Sequence, residues 1–485
     1  MPRIGLGQWA PDSAGVDANV LSVATNVFPA ASGYGPVRGL AVASTALPSN
    51  AKGGIGVQRS DLSWDFYAGT ATKLYKFNPA TTGWTDVSNP STTYSVADDA
   101  FWHFFTDGPK LYATHLAAPL QVIDVDTGTQ FSDVGGTPPF AAVGAAVGEF
   151  IVLAGLADDP FAVQWSSIGN PNEWIPGINL GDLQHFPMGG PVTAFAGGEF
   201  GVIFQEQAVS SMIFAPGAPE VFQITKVEQG RGAVSAWSTV QIGARIFYVD
   251  RTGLFQFTGG QSQPIGTQRV NRWFNDNVNT STMKKIQAVS DPRGHRVMWG
   301  VQTATGGSDS TLLDSILVYD YSLDRWALLD VDVRVMFSTS LPAASLDDGT
   351  DSMDDTTLPS LDSAAFAGGE PALAAFGVDN KMAFFEGDQL EAILETPDFL
   401  AARPNQAFVN GVRVDTDALA IFTSVAARQS LADTVLWKPE TEPNRRRFCP
   451  TRARGRYHRA RIRIPASTAW TYISGVEVNP KGLGQ

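Results

Sequence analysis

Six times along this chain of 485 residues, alternating apolar residues meet a cluster of turn formers, reach an aromatic or apolar residue, and continue as a second short run. The clearest copies are YKFNPATTGWTDV from Tyr75, VIDVDTGTQFSDV from Val122 and VYDYSLDRWALLDV from Val318. VQWSSIGNPNEWIPG from Val163 has a longer turn, and IFAPGAPEVFQITKV from Ile213 and LFQFTGGQSQPIG from Leu254 are looser. Period-2 alternation on both arms, with Asn, Asp, Pro, Ser, Thr and Gly between them, is the pattern of a β-hairpin. Measured at the residue after each turn, the steps from Trp84 to Phe131, Trp174, Phe222, Ile265 and Trp326 are 47, 43, 48, 43 and 61 positions. Several short strands recurring at such a period mark the blades of a β-propeller. Each blade has an apolar face that only a neighbouring blade can cover, so the repeats must close into a ring.

The chain is therefore expected to be all-β, a propeller of six or seven blades followed by a C-terminal β-sandwich. Residues 1–51, rich in Gly, Pro and Ala, read as an extended arm or as the segment that closes the ring. Residues 52–395 read as the propeller, with six units over 52–331 and a seventh blade or closing strands over 364–395. Residues 396–485 read as the sandwich. An insertion at 346–363 carries Asp347, Asp348, Asp351, Asp354, Asp355 and Asp362. It lacks the order of ligands, turn glycine and distal glutamate that a calcium loop needs, so it reads as a solvated loop.

The repeat also assigns its aromatics. Trp84, Phe131, Trp165, Trp174 and Trp326 are expected to pack within and between blades, each burying about 150–250 Å². A ligand platform at Trp165 and Trp174 is the competing reading. The most apolar run, FAAVGAAVGEFIVLAGL at 140–156, contains Glu149 and several glycines and reads as two adjacent buried strands. A membrane span needs a longer, uncharged run, and none is expected. The opening MPRIGLGQWAPDSAG has no apolar core of a secretory signal. The single cysteine, Cys449, excludes an intrachain disulfide and a cysteine-based zinc cage, which fits a reducing compartment.

Charge is unevenly distributed along the chain. Net charge is −14, yet residues 396–485 hold 14 Lys and Arg against 7 Asp and Glu, leaving 20 against 41 in the first 395. In the C-terminal part, alternation sets Ala460, Ile462 and Ile464 on one face of a strand and Arg459, Arg461 and Arg463 on the other. Arg445, Arg446, Arg447, Arg452 and Arg454 add a basic loop around Cys449. These eight arginines are the candidate partner interface. They read either as a sheet edge guarded by charge or as a surface for an acidic partner. Direct nucleic-acid contact is less favoured, because only Tyr457 supplies an interleaved aromatic.

Catalytic signatures are missing. His103, His115, His185, His295 and His458 show no metal-ligand spacing, and the chain has no H-E-x-x-H, G-x-S-x-G, P-loop or G-x-G-x-x-G motif. YVDRTGLFQF at 248–257 has the Asp-x-x-Gly of a sialidase box but not its serine or tryptophan. No enzyme activity, cofactor or metal is expected.

Four stretches in order carry a resemblance: GQWAPDSAGVDANVLSVATNVFPAASGYGPVRGL at 7–40, VQWSSIGNPNEW at 163–174, QGRGAVSAWSTVQIGARIFYVDRTGLFQFTGGQSQPIGTQRVNRWF at 229–274, and RARGRYHRARIRIPASTAW at 452–470. Together they resemble the tail nozzle proteins of short-tailed bacteriophages, also called packaged-DNA stabilisation proteins, over most of the chain. The resemblance implies a structural virion protein that forms a homo-oligomeric ring, usually a hexamer, at the distal end of the tail. It implies assembly in the bacterial host cytoplasm beside adaptor, portal-side and fibre or spike proteins. Such a ring surrounds the channel, retains packaged double-stranded DNA and gates its ejection without sequence-specific binding. An acidic wall repels passing phosphate, so the hub and channel face are expected on the acidic propeller, with the basic C-terminal part binding neighbouring subunits. A carbohydrate-binding or glycan-cleaving propeller of a tail fibre or glycosidase is the alternative.

Overall fold

The structure, a computed structural model, describes residues 3–306, 309, 311–341, 369–401 and 406–482. The acidic insertion at 346–363 lies outside the described residues.

Strand pairing is antiparallel within six four-stranded units that follow one another in sequence, spanning residues 54–86, 103–133, 141–185, 192–229, 240–264 and 287–329. A seventh takes Val335–Ser340, Pro371–Phe376 and Lys381–Phe384 from late in the chain, and its fourth strand, Ala41–Ala46, from near the N-terminus. We number these units blades 1 to 7. The first strand of each is innermost. These inner strands approach one another in cyclic order, blade 7 meeting blade 1, while a shared apolar cluster joins blades 4 and 5. The strand Ala41–Ala46 thus fastens the ring, in the place that sequence reading had left open between an arm and a closing strand.

Five of the six recurrent hairpins of the sequence are the outer pair of strands of one blade. In the copy at 163–177 only the first arm is a strand; the second arm, with Trp174, is loop, and the outer strand of blade 3 is Asp182–His185, displaced by the long turn. Leu74–Asn78 with Gly83–Asp86 and Ser315–Asp320 with Arg325–Leu329 are two examples. The run at 140–156 forms the paired strands Ala141–Val147 and Phe150–Leu156. The apolar clusters lie mostly between blades: Phe66, Phe77, Phe337 and Phe376 between blades 7 and 1, and Tyr67, Trp102, Leu111 and Phe131 between 1 and 2. This follows from the pleat, which turns alternate side chains of every blade toward its two neighbours.

The C-terminal strands do not form a separate module. Phe422–Arg428, Tyr457–Ile464 and Ala392–Glu395 pair in one sheet, which continues through the N-terminal strand Val23–Thr25 into blade 6. Ala407–Thr416, Cys449–Gly455 and Ile473–Gly482 build a second sheet, completed by Arg3–Gly5 and the hairpin Val27–Ala30 with Gly33–Pro36. Val412, Cys449 and Val476 of this sheet share a core with Val425, Ala460 and Ile462 of the other.

The N-terminal motif residues are the joints of this arrangement. Asn26 adopts a left-handed backbone (φ 56°), which its short polar side chain tolerates. Its side chain donates to the Glu391 carbonyl (2.9 Å) and accepts from the Asp330 amide (2.8 Å), binding blade 6 to the strand that follows blade 7. Gly33 (φ 89°) lies so close to the Ile473 carbonyl that a Cβ there would stand 1.9 Å from its oxygen. Tyr34 is fully buried and its hydroxyl donates to the Gly7 carbonyl at 2.9 Å.

Candidate interaction surfaces

The blade aromatics are walls and pins. Trp326 is fully buried against Trp299 and Tyr319, and its indole donates to the Ile265 carbonyl, tying blade 6 to blade 5. Phe131 meets Tyr67 edge to face at 6.0 Å across the seam between blades 1 and 2. Trp84 is half-buried at the seam between blades 7 and 1 and packs on Phe376. Trp165 and Trp174 are both buried. Their indoles donate to the carbonyls of Leu180 (2.9 Å) and Pro171 (2.7 Å), so both pin the long loop between the last two strands of blade 3.

The hub departs from the acidic surface expected of it. Among the described residues its inner strands carry two acidic residues, Asp107 and Asp291, each at a strand end, and Asp291 pairs with Arg296 at 3.0 Å. Inner positions are filled by Gly, Ala, Val, Ser, Thr and Phe, because small and apolar residues let seven strands converge on one axis. The acidic charge lies instead on turns and outer strands.

Where the inner strands of blades 1, 2, 6 and 7 begin, they enclose an axial recess of about 180 Å³. Sequence reading gave no role to one of the residues that line it, Trp237. A short 3₁₀ turn, Ala236–Ser238, with reciprocal hydrogen bonds between Ser235 and Ser238, holds this indole near the axis. It lies 5.6 Å from the ring of Phe101, just before blade 2, and 5.3 Å from His103, the first residue of that blade. Burial in this apolar setting pushes His103 down to about 4, so its imidazole is neutral near pH 7. A recess of this size accommodates a side chain or a small molecule and cannot pass a DNA duplex.

The eight candidate arginines separate into two groups. Those of the strand Tyr457–Ile464 are matched by carboxylates of the same chain. Arg459 bonds Asp398 (2.8 Å), Arg461 bonds Glu395 (2.5 Å), and Arg463 bonds both Glu391 (3.0 Å) and Glu440 (2.6 Å). Asp398 is buried and also receives Arg428 at 2.5 Å. Burial works to raise its pKa, but the hydrogen bonds from Arg459 and Arg428 hold it below the usual carboxylate range. The alternation was legible in the sequence; the facing acids were not, since they come from segments as distant as residue 391.

The second group is open. The basic segment around Cys449 is half loop and half strand, and Cys449–Gly455 lies at the edge of its sheet. Cys449 and Ala453 point inward, while Arg452 and Arg454 are exposed, as are Arg445, Arg446 and, just beyond the strand, Arg456. None of these five meets a carboxylate among the described residues. Arg447 differs, because it donates to the carbonyls of Thr416 and Ala418 and braces a turn of its own chain.

No family model matches the chain, and no curated protein matches its sequence. Solved structures do resemble it. The Cps50 (Swd1) β-propeller domain of Myceliophteria thermophila is 9% identical with a TM-score of 0.40, the match covering 70% of this chain and 98% of that one. The computationally designed Ika8 protein is 11% identical with a TM-score of 0.41, covering 78% and 99%. BamB from Moraxella catarrhalis is 8% identical with a TM-score of 0.37, covering 74% and 93%. At these identities the likeness concerns fold alone, and the chain's own cyclic order of sheets makes it a seven-bladed β-propeller.

Proposed function

We propose that this chain is a structural, ring-forming subunit at the distal end of a short phage tail, retaining packaged DNA and gating its release. The observation that carries this reading is the division of charge over the folded chain. An acidic propeller is joined at blade 6 to sheets whose open edge and flanking loop bear five arginines that meet no carboxylate among the described residues. Unlike surfaces at separate places on one chain favour head-to-tail association, which closes into a ring when the rotation permits. The motif residues behind the resemblance support it too, since Asn26, Gly33 and Tyr34 join propeller to C-terminal sheets and have no catalytic arrangement. In this reading DNA passes between copies, along the centre of their ring, because the recess at the hub of a single copy, lined by Trp237, is too small for a duplex. Acidic outer surfaces facing that channel would repel phosphate.

The test is location. Gold-labelled antibody raised against the purified chain should decorate the tail tips of virions made by the host that encodes it. Label on capsids or on fibres, or on no virion at all, rejects the reading.

A further inference from the structure

The loop pinned by Trp165 and Trp174 has an outer side, and it is apolar. Ile175 (56% exposed), Ile178 and Leu180 of the loop, Leu183 of the strand Asp182–His185 that follows it and Met188 just beyond (64% exposed) all project into solvent within fourteen residues. The loop has a fixed shape. Ser167 donates from its amide to the Glu173 carbonyl (2.8 Å) and from its hydroxyl to that of Ile178 (2.9 Å), and the Gly177 amide donates to the Gly181 carbonyl (2.7 Å). Leu180 is held at φ 68°, a left-handed backbone that a leucine adopts at a cost. A strained leucine whose side chain also faces water is unfavourable twice over, and covering it would recover the second part. Clustered exposed apolar side chains on an ordered loop mark a contact surface.

Charge identifies what covers it. From Leu111 to Thr225, across blades 2, 3 and 4, the chain has eleven Asp and Glu and no Lys or Arg. Glu149 is exposed and abuts the loop, its carbonyl accepting from the Gly169 amide at 2.9 Å, and Glu173 lies within the loop itself. No basic residue of the tract balances them. The open arginines 445, 446, 452, 454 and 456 belong to the sheets attached at blade 6. Blade 3 is three places from blade 6, as far round a seven-bladed ring as any blade stands. Within one molecule the two surfaces therefore belong to opposite sides of the ring, and no strand of blade 3 is among the principal packing partners of Cys449–Gly455.

Resting on the ring-forming reading above, we infer that the apolar, acid-flanked loop at 166–188 of one copy docks against the arginine-bearing edge strand Cys449–Gly455 of a second copy. The apolar side chains supply buried area, and the alternating Arg452, Arg454 and Arg456, about 6.6 Å apart along an extended strand, set register against the acids. The contact is heterologous, so each copy keeps one free surface of each kind until the ring closes.

The test is a charge swap in the full chain, read by sedimentation velocity and mass photometry. The triple variant Arg452→Glu, Arg454→Glu, Arg456→Glu should weaken self-association at least about tenfold, as should Glu149→Arg with Glu173→Arg. A chain carrying both sets should return to within about threefold of the parent. Ile175→Ser with Ile178→Ser, which leaves charge unchanged, should weaken association as well. Circular dichroism identical to the parent keeps folding out of the comparison. Rings that persist unchanged in either charge variant, or a combined variant that stays dissociated, overturn this contact while leaving the tail-ring reading to the labelling experiment. A parent chain that remains monomeric at its highest soluble concentration also overturns it, whereas unlabelled tail tips would reject the tail reading without touching a charge-swap rescue.

Discussion

The indole nitrogen of Trp84 donates to the carbonyl of Thr45 at 3.1 Å, and that bond spans the seam where the ring is fastened. Trp84 ends blade 1, while Thr45 lies on the strand that completes blade 7, so this side chain bridges the closure beside the backbone bond from the Thr45 amide to the Thr82 carbonyl (2.7 Å). Replacing Trp84 with Phe keeps the ring stacking on Phe376 and removes the donor, and should cost about 1 kcal/mol. Trp84→Ala removes both and should cost about 3 kcal/mol. Urea unfolding followed by far-UV circular dichroism separates the two; a Trp84→Phe variant as stable as the parent would mean that the hydrogen bond contributes nothing to closure.

Asp398 holds Arg428 and Arg459 in a buried cluster, and its backbone carbonyl accepts from Asp17 at 2.8 Å. Asp398→Asn leaves two guanidinium groups without their carboxylate and should destabilise the fold by about 3–5 kcal/mol. Because the folded pKa is lowered, the stability that this group contributes is present above the usual carboxylate range and is lost as pH falls through it. The Asn variant should therefore show a flatter stability profile below pH 4 than the parent.

A different group governs milder acid. Burial pushes His103 and His115 down to about 4, with the Lys52 charge adding to the effect at His115. Between about pH 6.5 and 4 the unfolded chain binds these protons and the folded chain does not, so stability falls as pH is lowered through that window. The melting temperature should drop from pH 7 to pH 5, and His103→Gln with His115→Gln should drop less. An equal drop in parent and variant would assign the loss to other groups.

Cys449 faces the core between the C-terminal sheets, fully buried, and burial raises its thiol pKa. Its reaction with a thiol reagent should be negligible in the native protein and complete in denaturant. Labelling rates measured across a urea series should follow unfolding of the C-terminal sheets; rapid native labelling would show that the edge strand Cys449–Gly455 opens on its own.

The propeller was legible from residue order because a blade is a local object. Its strands are consecutive, its turns are short, and the alternation that buries one set of side chains is written along each arm. Five of the six hairpins seen as repeats are outer strand pairs, the copy at 163–177 having its second strand later, at Asp182–His185, and the outward arginines of the strand Tyr457–Ile464 follow from the same period of two. Long-range pairing is different. That Arg3–Gly5 pairs with Ile473–Gly482, that Val23–Thr25 slots between blade 6 and Ala392–Glu395, and that Ala41–Ala46 closes blade 7 depend on which sheet edges remain open once the ring has formed. The same holds for the surfaces. The composition of residues 111–225 is plain in the chain, but only the closed ring puts blade 3 of that tract three places from blade 6, where the arginine-bearing sheets attach. Only the fold decides which of the eight arginines meet acids of their own chain. Hydrophobic alternation is set by neighbours in the chain, whereas charge partners and closing strands are set by neighbours in space.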